Sequence, residues 1–398
     1  MRILITTGIY PPDIGGPATY SKLLFDELPK RGIEVVVLSF GEVRNLPKII
    51  RHIIYFFKIL KRAKGVDVIY AQDPVSVGLP TMLANKFLRK KFFIRIAGDY
   101  AWEQGVQRFG VKDDLDTFST RNNYGLKVRF FKKIQFCVVK QADKIIVPSH
   151  YFKQVIVNWG IAPEKIKVIY NGIEINELKV HKVHKVESNV LLSVGRLVPW
   201  KGFKVLIETM PNILQEIPEV KLVIVGGGPQ KEELEETIER LGLQGKVILT
   251  GQLTREELLK QKQLADIFVF NTNWESFSFD TVEAMTLGLP VITTNICSLP
   301  ELIENNVEGI LVEPNDKEAL KKAIFKVLKN DLFRQGIIQN AYEKSKQFSI
   351  QNTLDNLEKL LIEDIFHSEL MESKKEFEKG EGLIVANSVE EALKKYEK

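Results

Sequence analysis

Two doubly wound α/β domains joined by a polar segment are what this sequence predicts, and three observations predict it. The chain has 398 residues, more than one ordinary core of about 150–200 residues would use. Short, continuous aliphatic and β-branched runs recur along it, separated by amphipathic stretches. Strands apolar on both faces belong to parallel sheets covered by helices. The rhythm breaks near residue 188 and then restarts, which sorts the elements into two sets.

In the first set, ILITT (3–7), EVVVLSF (34–40), DVIYA (67–71), FFIRIA (92–97), KIIVPS (144–149) and KVIY (167–170) read as strands. Helical patterns such as TYSKLLFDELPKR (19–31) lie between most of them. The second set reads VLLSVG (190–195), VKLVIVG (220–226), KVILTG (246–251), DIFVF (266–270), PVITT (290–294) and GILVE (309–313). Helical patterns follow at 316–330, 331–347 and 351–366, and the tail from 367 is strongly charged. Within that tail, EGLIVANSVEEALKK (381–395) matches EGILVEPNDKEALKK (308–322) at eight of fifteen positions, a partial duplication or chance to which no function is assigned. The join, INELKVHKVHKVESN (175–189), is polar and lacks a core pattern. His181 and His184 have a metal-like i, i+3 spacing, but no cysteine or further histidine lies nearby, so a solvated linker is the reading.

Composition narrows the class. Hydrophobic content of 44% and charged content of 27% are ordinary for a soluble globular chain. Cys137 and Cys297 are the only cysteines, without metal spacing, which fits a reducing compartment. The opening MRILITTGIY is too short for a signal peptide. No window offers about 20 uninterrupted apolar residues for a membrane span. A cytoplasmic protein is therefore expected. The net charge of +5 hides an asymmetry: residues 1–187 carry 31 Lys/Arg against 17 Asp/Glu, and residues 188–398 carry 25 against 34. A basic half points to an anionic partner.

In open α/β sheets, ligands bind beyond the carboxyl ends of strands, and four such ends stand out. In GIYPPDIGGPATYSKLL (8–24), Gly15 and Gly16 precede a helix, whose bare N–H groups suit a phosphate; a plain turn reads equally well. In SVGRLVPWKGF (193–203), Arg196 and Lys201 follow a strand, a spacing that could clamp a diphosphate; two exposed surface cations are the ordinary alternative. In VIVGGGPQKEEL (223–234), three glycines lack the G-x-G-x-x-G spacing of a dinucleotide site, so a structural turn competes with close ligand approach. The fourth is NWESFSFDTVEAM (273–285). Ser276 or Ser278 could cap a helix there, with Glu275 just before it and Glu283 inside it, flanked by Val282, Ala284 and Met285. A buried carboxylate needs a partner; ribose hydroxyls or an internal salt bridge would each serve.

Taken together, these pieces resemble glycosyltransferase family 4. The resemblance rests on E-x7-E in ESFSFDTVE (275–283) followed by Ala284 and Met285, on GRLVPWKG (195–202), on the glycine pair 15–16 after strand one, and on VIYNGIE (168–174). It spans roughly 1–365 in the family's order. The fold it implies is GT-B: two facing Rossmann-like domains, 1–175 on the acceptor side and 190–347 on the donor side, joined by a 176–189 linker. A helix over 348–366 would return to the first domain, leaving 367–398 as a tail. The family implies retaining transfer from a nucleotide sugar without a metal or other cofactor. Arg196 and Lys201 would neutralise the diphosphate, Gly16 beside Gly15 would approach it across the cleft, and Leu253 would pack near the base. Glu275 with the backbone of Ser276, Phe277 and Ser278 would hold the sugar, and Glu283 the ribose. The family's histidine after the FFIRIA strand is absent; Gly98 and Asp99 stand there. Asp99 could substitute for it catalytically or serve as a turn residue or cap, and Glu103 is a second candidate. The acidic run DDLD (113–116) reads as a solvated loop.

Three stretches mix basic and apolar residues: 46–64, 88–93 and 127–136. Each fits a core helix with a basic outer side, or contact with an anionic membrane surface. No nucleic-acid motif appears. The expectation is a transferase using a UDP-, GDP- or ADP-sugar and a glycan or lipid-linked acceptor, peripheral on the inner face of a membrane. Two alternatives remain: a non-catalytic GT-B subunit that binds nucleotide sugar or a partner transferase, and a dinucleotide binder disfavoured by the missing glycine spacing.

Overall fold

The computed structural model describes residues 1–13, 15–174 and 189–378. The KVH segment with His181 and His184, and the 381–395 echo, lie outside the described residues. Each of the twelve apolar runs forms a strand. They are β1 (Arg2–Thr7), β2 (Glu34–Ser39), β3 (Val68–Ala71), β4 (Lys91–Arg95), β5 (Lys144–Val147) and β6 (Ile166–Val168) in the first sheet. The second sheet holds β7 (Val190–Val194), β8 (Lys221–Val225), β9 (Val247–Gly251), β10 (Ile267–Phe270), β11 (Val291–Thr294) and β12 (Ile310–Val312). All pairings within them are parallel. Helices cover both faces, so strands such as β3 and β10 are buried along their whole length.

The strand orders matter for function. The first sheet runs β2-β1-β3-β4-β5-β6 and the second β12-β11-β10-β7-β8-β9. The order reverses between β1 and β3 in one sheet and between β7 and β10 in the other. At such reversals neighbouring loops diverge and leave a crevice.

The domains meet at defined contacts. Ser149 Oγ donates to the Ser276 carbonyl at 2.8 Å. The Glu301 carboxylate accepts from the backbone N–H of His150 and Tyr151, at the start of helix His150–Asn158, and from the Tyr170 hydroxyl. A carboxylate is favoured at a helix start by the free N–H groups and the dipole. Where the chain returns, Ile173 pairs with the 348–350 segment through two backbone hydrogen bonds, and a Cβ on Gly172 would lie 2.5 Å from the Ile350 backbone. The helix Ile350–Glu378 then lays Leu354, Leu357, Leu360 and Leu361 against Ile3, Ile5 and Leu28 of the first domain. It runs past the expected 366 boundary, into what the sequence presents as a charged tail.

One membrane-surface stretch is corrected here. Phe92 and Phe93 of 88–93 are buried in β4, and Lys91 pairs with Asp364 of the last helix. A short strand fills a central place in the sheet, so Phe92 and Phe93 are core and cannot meet a membrane, while Arg89, before the strand, stays exposed at the end of the preceding helix.

Candidate active site

The loops after β7 and β10 build the second-domain side of the cleft. β7 ends at Val194, Gly195 follows it, and Arg196 comes next as an exposed side chain with no ion pair among the described residues. A tight turn ends at Gly202, whose φ of 64° and whose approach to the Asn271 carbonyl, 1.8 Å from a hypothetical Cβ, both require glycine. That turn aims Lys201 inward: Nζ lies 2.5 Å from Glu275 Oε2 and 4.6 Å from the centre of the Phe270 ring. The two loops are stitched together by Thr272 Oγ1 and the Asn273 N–H, which both donate to the Trp200 carbonyl. Arg196, Lys201 and Glu275 therefore share the second sheet's switch point.

Ser278, not Ser276, caps the helix Phe279–Thr286, its Oγ accepting from the Thr281 N–H. Phe277 is buried among Tyr170, Phe279 and Phe348, so only its backbone could meet a ligand. Glu283 is buried and twice paired: Oε2 lies 2.5 Å from Lys262 Nζ and Oε1 2.6 Å from Arg255 Nη1. Lys262 is fully buried and also meets Asp280 at 2.8 Å. Burial works against its charge, but Asp280 and Glu283 outweigh burial and hold its pKa above the ordinary value. The partner that the apolar setting of Glu283 demands is thus supplied by the protein. Leu253 is half-buried, two residues before Arg255, and packs toward the same helix.

The three glycines 226–228 form a structural turn. A Cβ on Gly226 would fall 1.9 Å from the Gly195 carbonyl oxygen, and one on Gly228 would fall 2.4 Å from that of Leu197. Backbone packs on backbone, which accounts for two of the glycines without a ligand.

On the first-domain side, Gly15 precedes α1 (Gly16–Glu27) with φ 152°, and Gly16 lies against Phe279 across the cleft, 3.5 Å from a hypothetical Cβ. The structure corrects the place of Asp99. It is fully buried, and Oδ1 caps α4 (Tyr100–Arg108) by accepting from the Trp102 N–H and from Gln135 Nε2. Enclosed in this way, its carboxylate offers no surface to a sugar hydroxyl. Glu103, one turn on, is the group that feels the cleft. Burial, with repulsion from Asp99, pushes its pKa up to about 7, against the pull of Arg196 from the other domain. Its Oε1 fills the space a side chain at Gly98 would need, 2.6 Å from a hypothetical Cβ.

Sequence reasoning missed three features. Lys262 and Arg255 are the cations under Glu283. Trp102, Trp200 and Trp274 gather in the cleft, Trp102 lying 5.8 and 5.1 Å from the other two rings. Trp274 Nε1 is buried without a hydrogen-bond partner among the described residues. Asp114, in the acidic run, caps the helix Leu115–Thr120, and no group of acidic, histidine or cysteine side chains among the described residues is placed to hold a metal. Two surface grooves of about 620 and 660 Å³ lie along helix Leu126–Gln141 and its preceding loop.

Comparison with known proteins bears on this site. Residues 14–177 match the family described as Glycosyltransferase Family 4, and residues 174–344 match Glycosyl transferases group 1. An uncharacterized glycosyltransferase of Methanocaldococcus jannaschii is 28% identical over 91% of this chain and 99% of its own. The alpha-monoglucosyldiacylglycerol synthase of Streptococcus pneumoniae is 25% identical over 78% of this chain and 75% of its own. Among solved structures, Anabaena HepE in complex with UDP superposes with a TM-score of 0.70 at 21% identity, over 91% of this chain and 99% of that one.

Proposed function

The chain belongs to glycosyltransferase family 4, and from that premise we propose that it moves a sugar, with retention and without a metal, from a UDP-, GDP- or ADP-sugar to a glycan or lipid-linked acceptor. The observation that carries this reading is the switch-point cluster of Lys201, Glu275 and Arg196. Breaking the sugar–phosphate bond leaves a nucleoside diphosphate whose charge must be met as it forms. Lys201, held in place by Glu275 and Phe270, is a fixed cation for that charge, and exposed Arg196, five residues before it on the same loop, is a second. Glu275 and the backbone 276–278 then face the sugar. Glu283, oriented by Lys262 and Arg255, keeps lone pairs for a ribose. The solved relative's UDP supports a uridine nucleotide as the first donor to try, and the streptococcal relative's diacylglycerol supports a lipid-linked acceptor. Such an acceptor would place the protein at the inner face of an anionic membrane.

The test is a thermal-shift panel of UDP-, GDP- and ADP-sugars with NAD as control, followed by hydrolysis of any donor that binds. A shift with one nucleotide class and slow hydrolysis is expected. A shift without turnover under any acceptor preparation would favour a silent GT-B subunit. No shift with any sugar nucleotide would overturn the proposal.

A further inference from the structure

The helix α2 (Lys48–Arg62) has two apolar sides. Residues four apart align along a helix. Tyr55 and Ile59 are fully buried in the first-domain core. On the other side, Ile49, Ile53 and Phe57 form a line, with Ile50 beside it, and are 77%, 52% and 61% exposed. α3 (Gly78–Leu88), packed beside α2, adds Leu83 and Phe87, the latter 75% exposed. The Phe56 ring touches those of both Phe57 and Phe87, so the patch is continuous across the two helices. Single exposed apolar residues are ordinary; a continuous patch of six large ones marks a contact surface.

The charges around it are of one sign. No Asp or Glu occurs between Glu42 and Asp67, a stretch with seven Lys/Arg, or between Asp73 and Asp99, with five. Glu42 pairs with Lys58 and Arg62. Lys61, Lys64, Lys86 and Arg89 are exposed and make no ion pair among the described residues. We propose that the α2–α3 face docks on an anionic lipid surface: Ile49, Ile53, Phe57 and Phe87 enter the boundary of headgroups and acyl chains, and Lys61, Lys64, Lys86 and Arg89 meet the headgroups. An apolar centre in a rim where Glu42 is already paired and the remaining charges are basic complements anionic lipid better than a protein face of mixed charge. The contact is interfacial, because no helix among the described residues is long and apolar enough to cross a membrane.

The proposal rests on the lipid-linked acceptor and gives that acceptor a place. α2 runs back from the carboxyl end of β2, so Ile49 and Ile50 lie at the cleft end of the helix. Arg44, four residues before α2, pairs with Asp13 in the glycine loop of the cleft. The apolar line thus begins beside the site and leads away from it.

The experiment is sedimentation of the full chain with vesicles of equal phosphatidylglycerol and phosphatidylcholine, and with phosphatidylcholine alone. Binding is expected with the first and not the second, weakening as salt rises. The double substitution Ile53→Asp, Phe57→Asp should weaken it about tenfold or more. Arg89→Glu with Lys86→Glu should weaken it several-fold while leaving thermal unfolding unchanged. Should the aspartate pair fail to fold, Phe57→Trp keeps the test open: its emission should move to the blue on anionic vesicles. Wild-type protein left in the supernatant, or equal binding by both double variants, would overturn the proposal. So would a dimer in light scattering that Ile53→Asp, Phe57→Asp dissociates, which would give the face to a second copy of the chain. Donor thermal shifts on the same samples separate the two readings: donor binding without vesicle binding fails only the membrane surface, and the converse fails only the transferase.

Discussion

Glu275 and Glu283, on the second-domain side of the cleft, each have a lysine 2.5 Å away. Asp99 and Glu103, at the start of α4 in the first domain, have no ion-pair partner among the described residues, and burial raises both. Carboxylates are paired with cations on one side and held toward the neutral form on the other. The difference lies in neighbours, not in burial: Glu283 is as enclosed as most core residues. With no cation at contact distance, desolvation raises the pKa of Asp99 and Glu103. The second-domain side thus holds its carboxylates in ion pairs, and the first-domain side holds Glu103 where a proton sits near neutrality.

The hardest blow to this contrast is Lys262→Met. It removes the fully buried cation, leaving Glu283 to Arg255 and taking from Asp280 its lysine. Breaking one side of a buried ion pair costs about 3–5 kcal/mol. Urea and thermal unfolding should show the second domain destabilised by that order. A loss within the range of ordinary surface changes would mean that exposed Arg255 carries Glu283 by itself. Glu283→Ala should cost less, because Lys262 keeps Asp280, and should weaken donor binding more than it lowers the melting temperature.

Arg196→Ala comes next. The guanidinium is exposed and makes no ion pair among the described residues, so the fold should lose no more than about 0.5 kcal/mol. Turnover of the donor identified by thermal shift should fall by about 10²-fold, as for other lost charge stabilisers. Unchanged turnover would remove the diphosphate clamp from the donor side.

Much of this is legible in the sequence, and the reasons differ by residue. All twelve strands are readable because parallel strands buried on both faces are continuous apolar runs. The meeting of Arg196, Lys201 and Glu275 at one switch point is readable because all three follow the carboxyl ends of strands. Lys262 is not, since it lies in REELLKQKQL, an otherwise polar helix whose pattern hides a single inward lysine. Glu301 and the three tryptophans come together only through the closing of one domain on the other. Asp99 misleads because a resemblance fixes a position in the chain, while capping fixes where the side chain points.

Glu103 sharpens the first-domain half of the comparison. Its carboxyl titrates at about 7 in the fold and near 4.5 as a free side chain. The folded state therefore binds the proton more tightly. The stabilisation that protonation gives is complete below about pH 4.5 and is lost as pH rises through about 7. Glu103→Gln mimics the protonated form. It should melt like wild type at pH 5 and a few degrees higher at pH 8, with the gain set by how far burial exceeds the pull of Arg196. Equal melting at both values would mean that Glu103 is ionised throughout.

The gentlest probe is Gly98→Ala. The new Cβ would lie 2.6 Å from Glu103 Oε1, the far end of a flexible side chain. That differs from Gly202, where the obstacle is the Asn271 backbone. The carboxylate should swing away at a cost below about 1 kcal/mol, toward solvent and Arg196. Both changes lower its pKa, so the stability difference between pH 5 and pH 8 should shrink relative to wild type. If Gly98→Ala instead leaves that difference intact, the carboxylate has stayed buried, and Trp274, 3.9 Å from the same Cβ, has moved in its place.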